Sequence, residues 1–302
     1  MKLLITGGSG LVGSAFKNET LKFNSTDLNL FDYNQSFQKI KSHNVDGIIH
    51  CAAKVGGLYS NLNYPADYFD ENILMNSNII KISKKLSISK FVGFLSTCIF
   101  PDNLGHSFTE EDLHGGLPHD SNFAYAYAKR MLDIQVKSYN QQFDLNYFNV
   151  IPTNIYGPRD NFNIENGHVI PGLIHKVWNA KRNKKPLIVY GSGIAVREFI
   201  FSEDLAEICI ELIKNYNDKS PLIISNSKEE VTIKEIVEMI VEISNFRGEV
   251  VFDKSKSDGQ LIKKTNTSKL KSHIGDYKFT PIEDGLKKTI NWFFNNYKEA
   301  RK

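Results

Sequence analysis

Cysteine is scarce in this 302-residue chain, which holds only Cys51, Cys98 and Cys209. They are odd in number, far apart and form no CxxC pair. That excludes a disulfide framework and the usual structural zinc spacing, and it suits a reducing cytoplasm. Charge of one sign is also lacking. With 37 basic and 34 acidic residues the formal net charge is +3, too little to argue for nucleic acid or a membrane surface. The basic run Lys181-Arg182-Asn183-Lys184-Lys185 reads as solvated loop. No apolar run reaches spanning length, and Met1-Lys2 leads straight into a short strand rather than a signal peptide. Internal repeats and low-complexity tracts are absent too. These absences predict a cytoplasmic protein without metal, membrane or nucleic-acid partner. The length allows one large domain or two modest ones, and the 41% hydrophobic content is that of an ordinary globular chain.

What is present begins at the N-terminus. Lys2–Thr6 reads as a buried strand, and Gly7-Gly8-Ser9-Gly10-Leu11-Val12-Gly13 follows it before a helix. Gly7, Gly10 and Gly13 serve a tight turn, close approach of backbone to a diphosphate, and close helix–strand packing. Free N–H groups at the helix start bind phosphate. Between strand and helix, this spacing points to a dinucleotide. A second strand near 21–24 ends in Asn24-Ser25-Thr26 rather than in the acid that binds an NAD ribose, which leans toward NADP. No arginine stands there to hold a 2′-phosphate. Asp27, slightly later, is placed to reach the adenine amine.

Strands at 45–51, 91–95 and 146–151 alternate with helices at 67–86 and 124–142. This alternation predicts an α/β fold: a Rossmann-type doubly wound parallel sheet. Small residues after the third strand, Ala52 and Ala53, would let backbone approach the cofactor. The strand at 91–95 ends in Ser96-Thr97-Cys98. Residues two apart on an extended strand point the same way, so Ser96 and Cys98 face one cleft at its carboxyl end, where open α/β sheets place ligands. In the helix that follows, Tyr125 and Lys129 are four apart and share a face. An ammonium beside a phenol favours the phenolate and lowers the phenol pKa toward neutrality, whereas Tyr127 has only Met131 at that spacing.

These residues carry a family signature. The glycine loop, the Ser96 strand end and Tyr125-x-x-x-Lys129 resemble the extended short-chain dehydrogenases/reductases. More narrowly, the chain resembles the GDP-L-fucose synthase family. The matching motifs are Ala52-Ala53-Lys54-Val55-Gly56-Gly57, Ser96-Thr97-Cys98-Ile99-Phe100-Pro101 and Pro152-Thr153-Asn154-Ile155-Tyr156-Gly157-Pro158. Further along come Asp160-Asn161-Phe162, His168-Val169-Ile170-Pro171 and Arg197-Glu198-Phe199, in the family's order. The resemblance implies NADPH as cofactor and GDP-4-keto-6-deoxy-D-mannose as substrate, epimerised at C3 and C5 and then reduced at C4. It implies a reductase triad of Ser96, Tyr125 and Lys129, with Cys98 and His168 as epimerisation base and acid. Cofactor contacts are expected at Gly7, Gly10, Leu11, Val12, Gly13, Asp27, Ala52, Ala53, Tyr125, Lys129, Pro152, Asn154 and His168. Substrate contacts are expected at Lys54, Ser96, Asn154, Lys176, Tyr190, Arg197 and Lys263, and a homodimer through the 67–86 and 124–142 helices.

The chemistry is coherent. A 4-ketone acidifies the hydrogens on C3 and C5, so inversion needs a base and an acid on opposite faces of the ring. A thiolate at Cys98 serves as base, and His168, with an ordinary imidazole pKa, suits proton donation near pH 7. Ser96 and Tyr125 supply hydrogen bonds to the enolate oxygen. Arg197 suits a diphosphate, with a structural ion pair as the alternative. Asn154 suits the sugar or the nicotinamide. Lys176 and Tyr190 stand where many family members carry arginine and tryptophan, and lysine lacks the bidentate fork. Two rival readings remain open: action on another GDP-4-keto sugar such as a 6-deoxy-heptose, with or without epimerisation, and a non-catalytic cofactor-binding protein. Residues 1–157 and 194–228 are expected to form the NADP(H) domain, and 158–193 and 229–302 a smaller α/β sugar-nucleotide domain.

Overall fold

The apolar run Leu3–Thr6 forms β1, buried along its whole length. A computed structural model describes residues 1–17, 20–102 and 104–302. From β1 the chain passes through α1 (Leu11–Ala15), β2 (Leu21–Phe23), α2 (Tyr33–Lys41), β3 (Gly47–His50), α3 (Leu58–Asn63) and α4 (Pro65–Lys85) to β4 (Lys90–Phe94). Next come α5 (Phe123–Phe143), β5 (Asn146–Pro152), β6 (Asn154–Tyr156), α6 (Val169–Asn183), β7 (Leu187–Tyr190) and β8 (Val196–Phe201). The chain closes with α7 (Ser202–Asn215), β9 (Leu222–Ile224), β10 (Glu230–Thr232), α8 (Ile233–Ile243), β11 (Val250–Asp253), α9 (Ser268–Ile274) and α10 (Ile282–Asn295).

Six strands make the main sheet in the order β2-β1-β3-β4-β5-β9, and every pairing in it is parallel. The order reverses between β1 and β3, and a doubly wound sheet opens a crevice for ligands at that point. The expected α/β architecture is the one observed. Successive side chains of β1 point to opposite faces. Leu4 joins Ile48, Phe91, Ile79 and Ile80 on the side of α2, α4 and α5, while Ile5 joins Ile49, Val92 and Phe148 against Leu205, Ile208 and Leu212 of α7. A third core gathers Phe162, Ile174, Val177, Ile236, Ile240 and Phe293 between α6, α8 and α10. Beside it lie two small sheets, β10-β8-β6 and β11-β7.

The local chemistry explains the element ends. Thr232 caps α8 and forms a reciprocal box with Glu235. At α7 Ser202 is already helical and buried, and Phe201 occupies the cap position. The strand through Phe91 stops at Phe94, so Ser96 and Cys98 are not on an extended strand. Ser96 instead precedes a short 3-10 turn, Thr97–Ile99, and its Oγ accepts from the Cys98 N–H at 3.4 Å. Among the described residues no helix is long and apolar enough to cross a membrane.

Asp160, two residues before Phe162 of the third core, carries a cost. It is buried; one carboxyl oxygen accepts from the Asn161 N–H at 2.6 Å, and the other lacks a partner among the described residues. Burial raises its pKa to about 7 from 3.8. A carboxyl that holds its proton more tightly when folded favours folding below the unfolded value and loses that contribution as pH climbs toward the folded one. Asp160→Asn should therefore stabilise the protein by about 2–4 kcal/mol at pH 8 and leave it unchanged near pH 4. Denaturant melts across that range check this, and curves that stay parallel would contradict it.

Candidate active site

The loop after β1 builds the first half of the site. Gly7 takes φ +66°, and a Cβ there would lie 2.9 Å from the Ala52 nitrogen. A Cβ on Gly13 would lie 2.2 Å from the Gly7 carbonyl oxygen, so α1 can sit on β1 only as glycine. Gly10 differs: its Cβ would meet only the Gly7 carbonyl, at 3.3 Å, and its φ of −77° is open to any residue. Its bareness keeps the outer side of the loop clear. The first bond of α1 runs from the Ser14 N–H to the Gly10 carbonyl at 2.9 Å. This leaves the N–H groups of Leu11, Val12 and Gly13 without an intrahelical acceptor. The cradle fits a dinucleotide diphosphate.

Ala52 and Ala53 follow β3 and face this loop across the switch point. Ala52 is fixed from below by a buried relay. Its N–H donates to Thr6 Oγ1 at 3.2 Å, Thr6 meets His50 Nδ1 at 2.8 Å, and His50 Nε2 meets Asn76 Oδ1 at 3.0 Å. Burial lowers the His50 pKa to about 3, so the ring is neutral. Past β2, Asn24 Oδ1 accepts from the Thr26 and Asp27 N–H groups, and Asp27 Oδ2 accepts from the Asn24 N–H. The Asp27 carboxylate is thus drawn back into its own turn, and Asn24 stands at the end of the strand.

The second half is built on α5. Lys129 Nζ lies 5.8 Å from the centre of the Tyr125 ring and donates to the Phe94 carbonyl at 2.9 Å. Tyr125 hydrogen-bonds Ser96, and Cys98 lies close enough to affect both Tyr125 and Arg197. The expected lowering of the phenol pKa is reversed. Burial, with Cys98 nearby, pushes Tyr125 well above the ordinary 10, and the Ser96 bond offsets only part of this. Burial also draws Lys129 down to about 8. The i,i+4 geometry is as expected, but the loss of water, not the neighbouring ammonium, sets the phenol pKa. Tyr125 is therefore a protonated donor at neutral pH.

With the glycine cradle and the Ser96–Tyr125–Lys129 cluster at the carboxyl ends of parallel strands of one sheet, residues 3–225 match the NAD dependent epimerase/dehydratase family. The chain belongs to that family. It is 44% identical to a GDP-L-fucose synthase of Dictyostelium discoideum, over 99% of this chain and 97% of that one. Its fold superposes on a GDP-L-fucose synthetase from Naegleria fowleri bound to NADP with a TM-score of 0.93, at 39% identity over 99% of this chain and 94% of that one. A GDP-6-OMe-4-keto-L-xylo-heptose reductase from C. jejuni has a TM-score of 0.89, at 25% identity over 98% of each chain.

The remaining expected positions of this family member divide. Pro152 ends β5 and Asn154 opens β6, where the Asn154 amide donates to the Glu198 carbonyl at 2.9 Å. His168 is solvent-accessible at the N-cap of α6. Desolvation nonetheless lowers its pKa below the ordinary 6.5, so an imidazolium formed here gives up its proton more readily than a free one. Lys54 is turned onto α4, paired with Glu71 and, at 3.6 Å, with Asp67. Arg197 donates to the Val196 carbonyl at 2.8 Å and faces Asp258. Lys176 Nζ sits 3.3 Å from the centre of the Tyr190 ring, and Lys263 is half-buried on the 254–264 segment. Among the described residues no cluster of three or more His, Cys, Asp or Glu side chains could hold a metal.

Sequence reasoning missed the supports. Glu198, fully buried, accepts from the Thr265 N–H (2.9 Å), Thr265 Oγ1 (2.6 Å) and Ser225 Oγ (2.6 Å). It ties the segment carrying Lys263 to the middle of β8 and to Ser225 at the end of β9. Its place beside Arg197 in a quoted motif was the available signal, as Arg130's place beside Lys129 was for that residue. For the glycine loop, Gly10→Ala should cost the apo fold only about 1 kcal/mol. It should weaken NADPH binding at least about tenfold by filling the approach to the diphosphate. Thermal melts and a fluorescence titration check the pair, and unchanged affinity would contradict the assignment.

Proposed function

We propose that the protein converts GDP-4-keto-6-deoxy-D-mannose to GDP-L-fucose by epimerisation at C3 and C5 and NADPH-dependent reduction at C4. The observation that carries this reading is the convergence of Ser96, Cys98, Tyr125 and Lys129 at one strand end, in a chain 44% identical over nearly its whole length to a GDP-L-fucose synthase. The Asn24 turn, which withholds the Asp27 carboxylate, supports NADP(H) over NAD. The heptose reductase likeness supports the same reaction class at lower identity, so a GDP-4-keto-heptose is the second reading.

NADPH, when bound, supplies the hydride to C4. The chain's own residues do the rest. Cys98, as the thiolate, removes the proton beside the ketone, and His168, once protonated by solvent to the imidazolium, returns one to the other face. The thiol then loses its proton to solvent and His168 regains one, so that the pair acts at C3 and C5 in turn. Ser96 and Tyr125 hold the C4 oxygen as charge gathers on it. Tyr125, kept protonated by burial, then gives its proton to the alkoxide. Lys129 anchors the helix that carries Tyr125 and places its ammonium beside the nicotinamide ribose. Arg197, Lys263, Lys176 and Tyr190 hold the GDP moiety, with Lys54 and Asn154 at the sugar. Residues 1–157 and 194–228 form the NADP(H) unit, and 158–193 with 229–302 the sugar-nucleotide unit.

A homodimer is part of the proposal. Helices α4 and α5 pack side by side and leave Phe69, Leu74, Met131 and Ile134 exposed, an apolar strip suited to a second copy. Sedimentation should give a dimer whose contact is lost in Ile134→Asp, and a monomeric wild type would count against it. For the chemistry, Tyr125→Phe should lower the rate of NADPH oxidation by about 10²–10⁴-fold with NADPH affinity kept. Cys98→Ser should still oxidise NADPH but give a product that is not epimerised. A Tyr125→Phe enzyme of wild-type speed would overturn the donor role, and an epimerised product from Cys98→Ser the base role.

A further inference from the structure

Lys129 and Arg130 are consecutive on α5, and their cations grip opposite ends of one short segment. Lys129 Nζ reaches the Phe94 carbonyl, the last residue of β4. Arg130 donates from Nε at 2.8 Å and Nη2 at 2.5 Å to the Ile99 carbonyl, where the 3-10 turn ends, and from Nη1 at 2.7 Å to the Gly116 carbonyl. Ser96 and Cys98 lie between the two anchors. Arg130 is only 4% exposed and its guanidinium lies 5.6 Å from the centre of the Tyr127 ring. Among the described residues its hydrogen-bond acceptors are carbonyls, not carboxylates. A guanidinium is costly to bury without a counter-ion, and an apolar side chain would serve simple packing. What arginine adds is a planar fork that holds two carbonyls in fixed directions.

The two anchors are not equivalent. The upstream end of the segment is held twice, by Lys129 and by the Leu95 N–H, which donates to the Val150 carbonyl at 2.8 Å. The downstream end has its own turn bonds, Ile99 N–H to the Ser96 carbonyl and Phe100 N–H to the Thr97 carbonyl. Those close the turn on itself, whereas Arg130 ties it to α5 and to the 110–116 stretch. Cys98 is next to Ile99, and Ser96 is next to Leu95.

We propose that Arg130 is a positioning residue for Cys98, fixing the thiol relative to Tyr125 so that proton abstraction and C4 chemistry act on one bound sugar. The inference rests on the epimerase reading. It predicts a split phenotype: loss of Arg130 loosens the Cys98 end and spares the Ser96 end, the glycine cradle and Lys129.

The test uses Arg130→Met and Arg130→Lys in the full chain, with melting temperatures taken first. Solvent deuterium entering C3 and C5 of GDP-4-keto-6-deoxy-D-mannose is followed in D2O with NADP+, which cannot supply hydride. NADPH affinity is titrated separately. Saturated exchange should fall at least about tenfold in Arg130→Met, because small displacements of a catalytic group are costly. Its KM and NADPH affinity should stay within about twofold, and Arg130→Lys, which can reach one carbonyl, should fall severalfold less. Undiminished exchange in folded Arg130→Met overturns the inference, as does a parallel loss of exchange and NADPH affinity. If Arg130→Met fails to fold, Arg130→Lys decides, and wild-type exchange in it overturns the inference. A wild type that shows no exchange overturns the epimerase reading itself, a result distinct from any failure of the variants.

Discussion

The bond from Lys129 Nζ to the Phe94 carbonyl joins the two elements on which the site depends. One is α5, which carries Tyr125. The other is the end of β4, from which Ser96 and Cys98 emerge. A helix packed on a sheet by apolar contacts alone has some freedom to slide, whereas a directed hydrogen bond in a buried place fixes its register. Phe91, Val92 and Leu132 give the packing, and the lysine sets where along the strand the helix stops. Arg130 repeats the device one residue on. Four side chains from two separate stretches are thereby held within reach of one another.

Loss of water then sets the protonation states. Tyr125 is raised and stays a phenol, His168 is lowered so that its imidazolium is a readier proton donor, and Lys129 is drawn down to about 8. Beneath them His50 is neutral and serves as a spacer in a relay that ends at the Ala52 N–H. Lys129 still carries its charge at neutral pH, and Arg197 brings further positive charge near Cys98. Such a place can donate hydrogen bonds to a developing oxyanion without first having to shed water.

The parts written in short local patterns were legible in the sequence. The glycine loop, the alternation of strands and helices, and the i,i+4 pair each follow from backbone geometry within a few residues. Properties set by distant residues were not legible. The phenol pKa of Tyr125 depends on burial under α4, where Tyr68 lies edge-on at 6.3 Å, and adjacency to Lys129 alone gave the opposite sign. Lys54 looked free until Glu71 and Asp67 came beside it on α4. Cys98 fell on a 3-10 turn because the strand ends at Phe94, yet Ser96 and Cys98 are still the more accessible pair while Leu95 and Thr97 are buried. The roles of Glu198 and Arg130 were hidden because their partners, Thr265, Ser225, Ile99 and Gly116, are scattered along the chain.

The central claim is that one crevice performs both proton transfer beside the ketone and hydride transfer to it. The most direct measurement is the NMR spectrum of the product formed from GDP-4-keto-6-deoxy-D-mannose and NADPH by the wild-type protein in D2O. The account predicts GDP-L-fucose with deuterium at C3 and C5 and protium from NADPH at C4. A reduced sugar with unchanged C3 and C5 would contradict it by removing the proton-transfer half. Folded protein that oxidises no NADPH would contradict the substrate assignment and turn attention to longer GDP-keto sugars.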